Sequence, residues 1–166
     1  MSKTHFQEGC LKTCLLVSAP GLKELERNKP LSGQSGKNMV KALPLLKEQY
    51  PQIFPSEAIE DYRITNAIDN VLSKNTTRRT EARDSEILSE SNLSRLREEL
   101  EGIDTVVALG NKAALAVQSS GFKGQVLIAE HPSFQNINFK YRSDRSTVEE
   151  RSNDRIQQWV KSINSL

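Results

Sequence analysis

A chain of 166 residues is long enough to close one domain around one core. Its content of 36% hydrophobic and 27% charged residues excludes a membrane-embedded or disordered protein, and no apolar run approaches the roughly 20 residues that span a bilayer. The formal net charge of +2 does not demand a nucleic-acid partner, although it permits one if the basic residues share a face. The opening Met1-Ser-Lys-Thr-His5 lacks an apolar signal core, so a cytoplasmic location is expected.

In chain order, the apolar run Cys14–Val17 reads as a buried strand that stops at Ser18-Ala19-Pro20-Gly21. A charged loop then leads to Pro30-Leu31-Ser32-Gly33-Gln34-Ser35-Gly36. Met39, Leu43, Leu46 and Tyr50 follow at helical spacing, with Pro44 expected to kink that helix or begin a second one. Tyr62–Ile68 alternates like a second strand, and residues 73–84 form a polar loop carrying Arg78, Arg79 and Arg83. One helix is expected from about Ser85 to Glu101, ended by Gly102. Asp104–Leu109 is the cleanest buried strand, Lys112–Ser119 a short helix closed by Gly121, and Gln125–Ala129 a fourth strand ending at Glu130-His131-Pro132-Ser133. The last helix opens with a capping box, Ser146 to Glu149, and presents Ile156, Trp159, Val160 and Ile163 on one stripe. Strands alternating with helices predict an α/β three-layer sandwich, a mainly parallel four-stranded sheet covered on both faces, in a single domain over residues 1–166.

Cys10 and Cys14, four apart and without a histidine nearby in sequence, are read as reduced thiols packed in or near the core rather than as half of a metal site. Gly33-Gln-Ser-Gly-Lys37-Asn38 has too short a glycine spacing for a phosphate-binding P-loop, and Asn38 replaces the Ser or Thr that a P-loop needs. In an open α/β sheet, ligands bind beyond the carboxyl ends of the strands. Three strand ends there carry polar groups: Ser18–Gly21, Thr65-Asn66 and His131-Pro132-Ser133.

With those motifs the chain resembles the uracil-DNA glycosylase superfamily, most closely its thermophile-type iron-sulfur branch. That branch's first motif, Gly-Glu-Ala-Pro-Gly, is followed nine residues after its last glycine by Pro-Phe-Val-Gly-x-Ala-Gly. Here Val17-Ser-Ala-Pro-Gly21 and Pro30-Leu-Ser-Gly-Gln-Ser-Gly36 stand at that spacing. Thr65-Asn66 is similar to the family's Thr-Asn element, Asp104–Ala113 to its strand and helix, and His131-Pro132-Ser133 to its second motif; the resemblance covers about residues 13–160.

The resemblance implies an enzyme that flips a nucleotide out of the stack and hydrolyses its N-glycosidic bond while the base leaves as an anion. His131 would stabilise that anion, Asn66 would read the base edge, and Ala19, Pro20, Gly21 and Leu31 would complete the base pocket. Gly33, Gly36, Lys37, Arg78, Arg79, Ser133, Lys140 and Arg142 would contact DNA, backbone N–H groups would cradle phosphates, and Phe134 would fill the vacated stack. Ser18 stands where the branch has its water-activating glutamate, with Glu24 as a candidate substitute. Leu31 replaces an aromatic ring. The further cluster cysteines are missing, and Asn70 stands where the first would fall, so no iron-sulfur cluster, metal or other cofactor is expected.

The expected partner is DNA, single-stranded or with an extruded base, handled by a monomer. The base would be uracil or another altered pyrimidine, a hypermodified phage base included, which would make the role defence rather than repair. The alternatives are a non-enzymatic member that binds DNA or an altered nucleotide, and a small-ligand domain without a nucleic-acid role. Read without the resemblance, His131 caps a strand end, Asn66 holds a turn, and Phe139-Lys140-Tyr141-Arg142 is a solvated loop.

Overall fold

Alternating side chains along buried strands decide the layers. The computed structural model describes residues 3–165. Its strands β1 (Thr13–Val17), β2 (Arg63–Asn66), β3 (Thr105–Leu109), β4 (Gln125–Ala129) and β5 (Asn164–Ser165) form one sheet in the order β2-β1-β3-β4-β5. The first four are parallel, and Leu15 pairs with Ile64 on one side and Val107 on the other. The expected four-stranded sheet therefore has a fifth strand, two exposed residues antiparallel to β4, too short and polar to leave a pattern.

Leu15, Val17, Ile64, Val107, Leu109, Leu127 and Ala129 face α2 (Gln34–Gln49), α6 (Phe134–Lys140) and α7 (Val148–Lys161), packing on Met39, Leu43, Ile137, Ile156 and Trp159. The alternate set, Cys14, Leu16, Val106 and Ala108, faces α3 (Asp84–Ile87), α4 (Glu90–Glu99) and α5 (Asn111–Ser120), packing on Ile87, Leu96, Ala113 and Val117. Both faces are covered, which is why β1 and β3 read as continuous apolar runs. The chain leaves β1 over one face and β2 over the other, so the carboxyl ends of β1 and β3 flank a switch point where a crevice opens.

Several local expectations change. α2 runs unbroken through Pro44, because Val40, whose carbonyl loses its N–H partner, is solvent-exposed together with Pro44. The helix expected over 85–101 is two: the chain turns extended at Ser89, whose hydroxyl donates to the Glu86 carbonyl, before α4 starts. The last capping box is Thr147 with Glu150, one residue later than Ser146 with Glu149. The loop after Gly21 contains a further short helix, α1 (Leu22–Arg27), closed by Asn28 at φ 48°. It buries no residue, which is why apolar periodicity missed it.

Cys14 lies in β1 with its thiol pushed up to about 12 by burial, while Cys10 is exposed, so the pair does not suit the thiolate ligation of an iron-sulfur cluster. Among the described residues no group of three or more His, Cys, Asp or Glu is placed to hold a metal ion. No helix among them is long and apolar enough to cross a membrane.

Candidate active site

The strand ends converge on a cavity of about 410 Å³, within the roughly 300–1,000 Å³ of small-ligand pockets. Val17, Ser18 and Ala19 enter it from β1, Asn66 from β2, and His131 and Ser133 from the segment after β4. Leu31 and Ser35 close the side next to α2, and Thr80 and Glu81 reach in from the polar loop. Five segments distant in sequence thus line one cavity.

His131 is fixed by its surroundings. The Ser133 N–H donates to Nδ1 at 3.2 Å. A backbone N–H can only donate, so in the neutral ring the proton sits on Nε2. Burial holds the imidazole below its ordinary value of 6.5 and outweighs the opposing fields of Glu81 and Glu24. Nε2 has no partner among the described residues, and the side chain lines the cavity as a neutral donor. Three side chains hold the backbone of this loop: Asn38 donates to the Pro132 carbonyl at 2.8 Å, Asn136 to the His131 carbonyl at 2.9 Å and Trp159 to the Glu130 carbonyl at 2.9 Å. Gly110, at φ 98°, lets β3 turn beside the ring, where an added Cβ would stand 3.3 Å from the histidine Cβ.

Asn66 is buried at the end of β2, with one amide hydrogen donated to the His5 carbonyl at 3.0 Å. Its Oδ1 and second N–H have no hydrogen-bond partner among the described residues. Arg95 anchors the strand end by donating to the Asn66 and Ala67 carbonyls, and it pairs with Glu99, which also accepts from His5 and Thr65. Burial pushes the Glu99 carboxyl up, but the His5 hydrogen bond and the Arg95 charge outweigh it and hold the group below its ordinary value. Leu31 is buried at φ 50°, a left-handed conformation that bulky residues seldom adopt. Ser18 Oγ is buried without any partner, the one such side-chain atom among the described residues.

Other candidates are placed differently. Glu24 lines the cavity, but its Oε2 accepts from the Gly21 N–H and its Oε1 from the Ser32 and Gly33 N–H groups, at 3.0 to 3.2 Å. It clasps two loops together instead of standing free for water. The same bonds occupy the N–H groups of Gly21 and Gly33 expected to cradle a nucleotide. Gly36 lies under the Leu31 backbone, where an added Cβ would meet the carbonyl oxygen at 1.7 Å; its role is packing. Pro20 is buried outside the cavity lining, its carbonyl accepting from Leu72 at 2.9 Å. Arg79 makes a two-pronged ion pair with Glu86, which the Arg79 and Arg83 contacts lower to about 2, and Lys140 pairs with Glu130 away from the cavity. Lys37, Arg78 and Arg142 are exposed and none lines the cavity. Ser133 caps α6 through Asn136 N–H. Phe134 borders an adjoining groove of about 460 Å³, with Lys74 and Gln135.

Glu81, Asn38, Arg95 and Trp159 were missed by sequence reasoning. Glu81 carried only the signal of lying in an arginine-rich loop, and the other three act by contacts at long range.

A family model for the Uracil DNA glycosylase superfamily matches residues 6–157. The chain belongs to that superfamily, and its general function is of the DNA glycosylase type. No curated protein matches it.

Proposed function

We propose that the protein is a monofunctional DNA glycosylase that extrudes uracil or another modified pyrimidine and hydrolyses its N-glycosidic bond, leaving an abasic site. The observation that carries this reading is the neutral, Nε2-protonated His131 in one cavity with the open amide edge of Asn66. As the bond breaks, negative charge gathers on the leaving base. A preorganised neutral donor there strengthens its interaction in the transition state without the cost of burying an ion. Asn66 offers an acceptor and a donor together, the pattern of a pyrimidine edge. Leu31, in place of an aromatic ring, makes a less selective wall that suits a bulkier base. In this reading the protein acts as a monomer. The groove past Lys74 and Phe134 supports a path for the DNA strand, with Phe134 filling the gap left by the flipped nucleotide.

A single-turnover assay on oligonucleotides carrying uracil, other altered pyrimidines and glucosylated hydroxymethylcytosine tests the proposal. Alkali-labile abasic sites at one of these bases are the expected result. Salt-sensitive DNA binding with no cleavage of any of them favours the non-enzymatic reading, to which the loss of the motif glutamate at Ser18 lends weight.

A further inference from the structure

The cavity as described has a donor for the departing anion and no obvious counterpart for the cation left on the sugar. Ser18 carries no charge, and the Glu24 carboxylate is held in place by three backbone N–H groups. Glu81 is the other acid in the lining. Its side chain makes no hydrogen bond among the described residues; its field reaches His131, as that of Glu24 also does, and Lys112.

The loop that carries Glu81 is built to hold it. Arg79 grips Glu86 with both guanidinium arms and donates to the Glu81 carbonyl at 3.2 Å. Ala82 is buried next to it, and the Arg83 N–H donates to Glu86 at 2.8 Å. Upstream, Ser73, Thr76 and Thr77 tie the loop base through their hydroxyls. Arg79 thus fixes the backbone from which Glu81 projects.

Resting on the glycosylase reading, we propose that Glu81 is the catalytic carboxylate of this site, stabilising the cationic sugar and taking the proton of the attacking water. The bond from C1′ to the base nitrogen breaks, and its electron pair leaves with the base, where His131 Nε2–H donates to the developing charge. Water oxygen then bonds to the oxocarbenium C1′. Its proton passes to the Glu81 carboxylate and from there to solvent, while the base anion gains a proton from solvent. The sum is hydrolysis.

The test is binding to duplexes carrying either of two abasic analogues, a cationic pyrrolidine or a neutral tetrahydrofuran, compared for the wild type, Glu81→Gln and Glu24→Gln. The wild type should prefer the cationic analogue by about tenfold or more, and Glu81→Gln should reduce that ratio to within about twofold of unity. A ratio is read because removing any negative charge strengthens DNA binding generally, and that effect cancels between the analogues. Glu81 is exposed and its side chain makes no hydrogen bond among the described residues, so the variant keeps the fold. Equal binding of both analogues by the wild type overturns the proposal and leaves the glycosylase reading standing. A preference retained in Glu81→Gln but lost in Glu24→Gln also overturns it, and assigns the role to Glu24. Failure to bind either duplex removes the glycosylase reading itself and the proposal with it.

Discussion

The Ser133 N–H and the burial of the ring together set what His131 does at neutral pH. Protonation of Nδ1 would set two N–H groups against each other, so the loop itself opposes the charged form. His131→Ala removes the donor that matters once charge has moved onto the base. The single-turnover excision rate should fall by roughly 10²–10³-fold while DNA affinity stays within about threefold; parallel losses in both would make the residue a binding group. Of the residues read as functional, Ser18, Asn66 and His131 were legible because each ends a strand, where the topology obliges side chains to face the crevice. The charges of Glu24 and Arg79 were visible in the sequence, but the intramolecular groups that bind them, backbone N–H groups and Glu86, were not.

α2 organises one side of the site as a single element. Gly36 lets it close on the Leu31 backbone, Met39, Leu43 and Leu46 seat it against the sheet, and buried Asn38 reaches across to Pro132. The Asn38 bond spans 94 positions of sequence, so no local pattern announces it. Asn38→Ala leaves the Pro132 carbonyl without its buried donor, at a cost of about 1–3 kcal/mol. Since each kcal/mol lowers the melting midpoint of a chain this size by about 2–4 °C, a drop of several degrees is expected in thermal unfolding, with excision impaired more than DNA binding. An unchanged midpoint would remove Asn38 as the anchor of the His131 loop. Pro44 shows the converse case: a residue that predicts a break is tolerated because its orphaned carbonyl partner, Val40, lies on the solvent side.

For the whole molecule, two partly buried groups make stability depend on pH in the same direction. The folded state holds His131 below its ordinary 6.5 and Glu99 below its ordinary 4.5. In each interval the unfolded chain binds more protons than the folded one, so stability rises with pH across it. The His131 contribution is complete above about pH 6.5 and is lost as pH falls through the folded value; that of Glu99 is complete above about pH 4.5 and is lost likewise below it. Denaturant unfolding from pH 8 to pH 3 should show both windows. His131→Ala should flatten the upper one and Glu99→Gln the lower. A lower window unaltered by Glu99→Gln would show that the His5–Glu99–Arg95 network does not couple folding to protons.

The order of strands and helices, the two-sided sheet and the ends that carry Ser18, Asn66 and His131 were determined by the sequence itself, because apolar periodicity and strand termination are local properties. The fifth strand and the short helix at Leu22–Arg27 were decided by the tertiary structure, since neither buries an apolar face that a pattern would reveal, and the helix divides at Ser89 where the chain turns extended. The tertiary structure also decided which charges are free. Glu24, Arg79 and Lys140 meet hydrogen-bonding partners inside the fold, whereas the Glu81 side chain makes no hydrogen bond among the described residues and meets Lys112 and His131 only through its field. Pairing depends on distances between residues that only the closed chain brings together.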